Sequence, residues 1–506
     1  MLSPKSIAFA LLFSPILVFA EGDKPSVTPG PTSLNADVKS RPTYFRLGIE
    51  SVDLPNKEAM GTVGGSYLMQ VAPDIYAGPA AYGALTGKRG GFFTGGAELA
   101  WRKPLYSRLM LETGLYVGGG GGGTAMVGGG LMLRPHIDLS WKFNQISAGV
   151  SASQIRFPNG HINSNQLGIT FSIDNEFVYS APGEIGKLVT TNRRGGIGFD
   201  RIAVATGVYR PKSGVTDLAG NAYAGSIGYA GFRMDQLISD YLFWGIESGA
   251  AVKGGADGYA EILGVIGAEY PIINDRIKLG SRLALGMGGG GKLAVGGGLL
   301  AKAGLYAKTQ ITNDAYVALE GGVVHAPNGG FRSNYGTVQL GIDLDSAPFK
   351  QSLQFPRVIR GTEWSASAEH YLKANRYNGS NPSLNTMGLK IDRTINDSTY
   401  FSAQAHTAYA GNAGGFSVGL VGLGLRAPKT SSGLSAGVEV LAGAAGGGGV
   451  STKGGAVMQV MTYASLDINS AMNVKLGLGQ VRSIKGELNS TLLDLSLSFP
   501  FGVPGR

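Results

Sequence analysis

The chain is 506 residues long, with 83 glycines, 43% hydrophobic residues and no cysteine. Glycine stands at about twice its usual share of roughly 7%, without a collagen-like triplet, which points to a folded glycine-rich β protein rather than disorder. The missing thiols exclude disulfides and thiolate metal sites. The formal charge of +9 is dispersed rather than gathered in a basic run. Nucleic acid is therefore not an expected partner, whereas anionic lipid, lipopolysaccharide and anionic solutes are.

The chain opens on a stretch that reads as a secretory signal, residues 1–20: Lys5 supplies the positive end, Ile7 to Phe19 is mostly apolar, and Val18-Phe19-Ala20 precedes Glu21. No later window is long and apolar enough for a membrane helix. Residues 21–42 carry Pro25, Pro29 and Pro31 and read as a flexible lead-in. Three repeats follow, over residues 43–179, 201–345 and 361–501, with linkers at 180–200 and 346–360 and a tail at 502–506.

Glycine marks the repeats. The run from Gly118 to Gly123 is followed by Gly128. Gly288 to Gly291 is followed by Gly297, and Gly446 to Gly449 by Gly454. Upstream, Gly91-Phe92, Gly258-Tyr259 and Gly415-Phe416 correspond, and downstream Ser164, Ser333 and Ser490 share one register. The runs are expected to be equivalent structural hairpins between the fifth and sixth strands of each unit, on a pseudo-threefold plan.

Within each repeat the period is two. Leu167, Ile169, Phe171 and Ile173 alternate with Gln166, Gly168, Thr170, Ser172 and Asp174, and Leu493, Leu495 and Leu497 alternate with Asp494, Ser496 and Ser498. About eight such strands per repeat, short turns on one side, longer loops on the other and an export signal together predict an all-β antiparallel transmembrane barrel. Its expected place is the outer membrane of a Gram-negative cell, where lipids, lipopolysaccharide and the barrel assembly machinery would be its partners. Two architectures are open. Many inward positions are Gly, Ala, Ser or Thr, too small to fill narrow cores, which favours one barrel of about 24 strands. The long linkers favour three small barrels instead.

No motif predicts catalysis, a cofactor or a metal. Gly286 to Lys292 imitates the start of a phosphate-binding loop, but Leu293 stands where a hydroxyl is needed. The histidines (His136, His161, His325, His370, His406) form no pair at metal-ligand spacing. The segment His325-Ala326-Pro327-Asn328-Gly329, with the glycine strands before it, resembles the C-terminal half of eight-stranded lipid A 3-O-deacylase barrels. That family's His-x-Ser-Asn motif implies serine acyl hydrolysis within the outer membrane. Here Pro327 occupies the serine position, Arg156-Phe157-Pro158-Asn159 and Arg482-Ser483-Ile484-Lys485 fill it in the other repeats, and Ser333 lies further on. The resemblance therefore lacks its nucleophile.

The second repeat instead offers charges on its polar faces: Arg276, Lys278, Arg282, Lys302 and Lys308, then Glu320, Asp343 and Asp345. They read either as ion pairs filling a narrow barrel or as the wall of a pore that concentrates anions. With one wide barrel favoured, the expected function is a passive channel or export conduit. With three filled barrels it becomes a structural or surface-interaction protein.

Overall fold

The computed structural model describes residues 36–191, 193–223, 225–273, 276–312, 314–344 and 357–505. The expected signal segment, most of the expected lead-in, most of the second linker and Asp345 lie outside these described residues. The alternating stretches form long antiparallel strands, as β-branched and aromatic residues on one face of a pleat dictate.

Barrel 1 contains β1 (Lys39–Leu54), β2 (Glu58–Ala72), β3 (Ile75–Thr86), β4 (Phe93–Tyr106), β5 (Leu109–Gly121), β6 (Met132–Phe143), β7 (Ile146–Arg156) and β8 (Asn163–Tyr179). A short β9 (Leu188–Val189) lies in the first linker. Barrel 2 contains β10 (Arg201–Pro211), β11 (Ile227–Leu237), β12 (Leu242–Lys253), β13 (Ala260–Ile273), β14 (Ile277–Gly289), β15 (Leu299–Gln310), β16 (Ala315–His325) and β17 (Arg332–Asp343). Barrel 3 contains β18 (Arg357–Tyr371), β19 (Leu384–Thr394), β20 (Thr399–Ala410), β21 (Ser417–Arg426), β22 (Leu434–Gly446), β23 (Ala456–Asn469), β24 (Met472–Ser483) and β25 (Asn489–Gly505).

Each set of eight closes on itself. β1 pairs β8, with Lys39 opposite Tyr179. β10 pairs β17, with Arg201 opposite Asp343. β18 pairs β25, with Val358 opposite Gly505. The strand pairing thus departs from the favoured single wall of about 24 strands. The reason lies in how the small inward residues are used. A glycine on one strand makes room for a ring from its neighbour: Gly64 lies under Tyr82, Gly280 under Tyr306, Gly341 under Tyr316, Gly424 under Tyr400 and Gly437 under Tyr463. Few but long side chains therefore fill each interior across the small ones.

The strands also run past the expected bounds. Residues 39–42 begin β1, 357–360 begin β18, and 502–505 continue β25 as buried strand rather than tail. The first linker is not free either. Ser180 N–H donates to the Gly502 carbonyl at 2.9 Å, and β9 pairs with Arg357 and Val358 of β18. All strand starts and ends that meet linkers lie at one end of the barrels, called here the linker end; the glycine hairpins lie at the far end.

At the far end the three barrels meet in a ring. β3 of barrel 1 lies against β14 and β15 of barrel 2, β12 of barrel 2 against β22 and β23 of barrel 3, and β20 of barrel 3 against β5 of barrel 1. The glycine runs are the contact points. Gly91 abuts Gly289 and Gly290, Gly258 abuts Gly446 and Gly447, and Gly415 abuts Gly121 and Gly122, each so closely that a Cβ would meet facing backbone. Backbone hydrogen bonds join two of the seams, Gly90 to Gly296 at 2.9 Å and Gly414 to Gly128 at 3.0 Å. Gly91 also has φ +89°, which a side chain pays about 1–2 kcal/mol to adopt. Gly91→Val is expected to lower the midpoint of thermal unfolding in detergent. Gly419→Val, where nothing lies within 4 Å of a new Cβ, is expected to leave it in place; equal midpoints for the two variants would contradict the ring.

Candidate functional site: the barrel interiors and outer walls

Alternation places polar residues inside and apolar residues outside. On β17, Thr337, Gln339 and Asp343 are buried while Val338, Leu340 and Ile342 are 47%, 55% and 41% exposed. β8, β14 and β24 repeat the arrangement through exposed Leu167, Ile169, Leu283, Leu285, Leu476 and Leu478. Where barrels touch, the same outward face is covered, as at Phe499 and Phe501 of β25.

Barrel 1 is filled by a network around Arg46 of β1. Its guanidinium lies 2.5 Å from Glu98, 2.7 Å from Glu112 and 3.1 Å from Asp138. His136 bridges Glu98 at 3.0 Å and Asp138 at 3.2 Å. Arg134 grips Glu50 through two contacts of 2.9 Å. Glu98, Glu112 and His136 also have ligand atoms close enough to share a metal ion. The Arg46 guanidinium contacts all three, so a cation of the protein's own already satisfies them.

Barrel 2 gathers most of the charges expected from the sequence. Arg282 lies 3.6 Å from Glu320 and 3.5 Å from Asp235; Lys302 lies 2.8 Å from Glu247 and 3.0 Å from Glu261. Lys308 meets Glu269 at 2.9 Å, beside Arg201 at 2.8 Å, and Lys278 reaches it at 3.3 Å from a half-buried position. Glu320 also receives Arg233 at 2.5 Å and the Tyr335 hydroxyl at 2.6 Å, and Asp343 accepts from Gln310 at 2.6 Å. Arg276 is the exception: it sits exposed in the turn before β14, because a bulge near Pro271 ends the ladder at Ile277. Counting alternation past the strand end placed it inward.

Barrel 3 carries Lys390 on Glu439 at 2.5 Å and Lys475 on Glu363 and Asp392. Nearer its far end His406 Nε2 lies 2.9 Å from Ser367 Oγ, with Glu369 3.9 Å from Nδ1. The order is that of nucleophile, base and acid, yet all three are buried within the barrel, and Ser367 donates to Asp494 at 2.5 Å. It is a core hydrogen-bond cluster.

Above these networks, an apolar cluster closes each far mouth. Phe92, Val127 and Phe157 pack together in barrel 1, Tyr259, Val295 and Phe331 in barrel 2, and Phe416, Val450 and Leu488 in barrel 3. The aromatic after each marker glycine and the glycine hairpin itself supply this cap. Gly118, Gly288 and Gly446 lie in β5, β14 and β22, while Gly123, Gly128, Gly291, Gly297, Gly449 and Gly454 lie in the loops that follow.

His325 and Ser333 do not meet. Register pairs His325 with Arg332 and Val324 with Ser333, so the histidine points outward and is exposed, while the serine is buried inside and donates to the Asn334 carbonyl. The lipid A deacylase resemblance finds no counterpart in this geometry.

The networks of barrels 1 and 3 escaped the sequence reading. The signal was present as Arg134, His136 and Asp138 on one face of β6, and as Glu363, Ser365, Ser367 and Glu369 on β18.

No family model matches the chain, and no curated protein matches it. Among solved structures it is similar to the ferric enterobactin receptor PfeA in complex with BCV-L6 (10% identity, TM-score 0.29, covering 92% of this chain and 82% of that one). It is also similar to OccAB3 of Acinetobacter baumannii (8%, TM-score 0.23, 92% and 99%) and to the outer membrane protein OpdK of Pseudomonas aeruginosa (10%, TM-score 0.23, 92% and 99%). At these scores neither the arrangement nor the activity of those proteins transfers. The chain's own geometry defines its class: a triplet of closed antiparallel barrels, polar inside and apolar outside.

Two outcomes follow. Arg46→Met removes the shared cation of three buried carboxylates, and breaking a buried pair costs about 3–5 kcal/mol; the heat-modified gel transition is expected to shift to markedly lower temperature, whereas the exposed Arg276→Met leaves it unmoved. His325→Ala and Ser333→Ala are expected to leave the acylation pattern of lipid A, read by mass spectrometry, identical to that with the unaltered protein.

Proposed function

We propose that the protein is an integral outer-membrane protein whose three sealed barrels serve as a rigid structural platform, presenting their far-end loops at the cell surface. The observation that carries this reading is the inverted polarity of the wall: paired charges inside, with bands of exposed leucine, isoleucine and valine outside. Water would penalise such a surface, whereas lipid chains are its natural solvent. With the signal segment, this supports export and insertion with the linker end toward the periplasm.

Structural service fits better than bulk transport because each interior is occupied twice over, by ion pairs at mid-height and by the apolar cap at the far mouth. A cavity beside Arg46, Glu50 and Arg134 in barrel 1 measures about 10 Å³, too small for a solute. Arg282, Lys302 and Lys308 each face carboxylates, so the positive sector that an anion path needs is neutralised. No residue of this reading performs chemistry.

One feature favours the channel expected from sequence as a second reading. Buried polar atoms without partners, Gln404 Nε2, Gln459 Oε1 and Asn473 Oδ1, line barrel 3, and such atoms call for water. The second reading runs a narrow wetted path for very small solutes there. Planar-bilayer recordings separate the two. The platform reading expects no step conductance from protein that shows heat-modifiable mobility; reproducible steps abolished by filling barrel 3 through Gly388→Phe would replace it with the channel.

A further inference from the structure

The three seams of the ring are not alike. In the seam between barrels 1 and 2, the Met287 side chain of β14 lies on Gly83 of β3 and fills the gap below the glycine contact. The register that places Met287 two residues before Gly289 in β14 places Gly119 two residues before Gly121 in β5. The seam between barrels 3 and 1 therefore has no such plug.

A crevice of about 210 Å³ opens there, between the outer walls of barrels 1 and 3. Its sides are small or apolar: Gly95 and Ala97 of β4, Ala366 of β18, Met387 of β19 and Ala405 of β20. Toward the far end it is bounded where the Thr407 hydroxyl donates to the Gly95 carbonyl at 3.2 Å. Toward the linker end the floor is aromatic, with Trp364 centred 6.5 Å from Tyr67, 5.2 Å from Phe177 and 5.7 Å from Phe501. At this end stands Arg41 of β1, donating to the Tyr179 hydroxyl at 3.1 Å and the Gln70 carbonyl at 3.2 Å.

Water finds few partners along such walls, and an apolar gap left empty forfeits dispersion contacts on both sides. The crevice lies among wall residues at the depth of the exposed apolar bands, where acyl chains are the available filler. We infer that the crevice is a binding site for one acyl chain of a membrane phospholipid. The inference rests on the membrane reading above.

The test uses the full chain reconstituted in vesicles of phosphatidylethanolamine and phosphatidylglycerol, then extracted into mild detergent for native mass spectrometry. One phospholipid per chain is expected to survive detergent exchange. Ala405→Phe, which fills the crevice from an exposed wall position, is expected to reduce its occupancy at least tenfold while heat-modifiable mobility persists. Protein that carries no lipid, or Ala405→Phe protein that retains it fully, overturns the site. Failure of the membrane reading would look different: protein extracted without detergent.

Discussion

Closing eight strands into a cylinder leaves a lumen only wide enough for side chains, and every other residue must enter it. That constraint governs the whole chain. Residues that would be solvated in an open sheet are brought within hydrogen-bond distance of one another, so a charge on one strand must find its opposite on another. Arg46, Glu98, Glu112 and Asp138 come from four different strands and meet at one point. The same closure turns the alternate residues outward, and since they are apolar the cylinder needs lipid rather than water around it. Polar packing inside and membrane compatibility outside are thus two faces of one geometric fact.

The glycines answer a second demand, that three such cylinders stand side by side. Two backbones can approach directly only where no Cβ intervenes, and the hairpin between the fifth and sixth strands offers that bare surface to the glycine before the fourth strand of the next barrel. Because the two surfaces differ, the contact runs head to tail around the ring and closes after three steps. The caps belong to the same device: the hairpin that touches a neighbour on one side folds valine or leucine into its own barrel mouth on the other.

Much of this was legible in the sequence. The triple marks at Gly91, Gly258 and Gly415 and the two-residue alternation gave strand number and hairpin position, because both are local properties. Closure was not legible, since strand partners are chosen by a chain returning over more than a hundred residues. The small inward residues pointed to a wide barrel only when each was judged alone. Paired with the ring it accommodates, as Gly280 is with Tyr306, each signifies tight filling. The charges of β14 and β15 were found because they lie in one dense stretch. Those of barrel 1 are spread over five strands, and no window of sequence contains their pairing. His325 and Ser333 fell on opposite faces for the same reason that the alternation was readable at all.

Carrying the three barrels on one chain has an effect on how such a protein can change. In an assembly of identical subunits any altered residue appears at every seam, so a substitution that helps one contact and harms another is lost. Here Met287 fills one seam while Gly119 leaves its counterpart open, and the lysine and carboxylate sets inside barrels 2 and 3 are no longer the same. A covalent ring can keep threefold construction where glycine contacts require it and abandon threefold identity elsewhere, so that a single asymmetric pocket can arise in a scaffold of three like barrels.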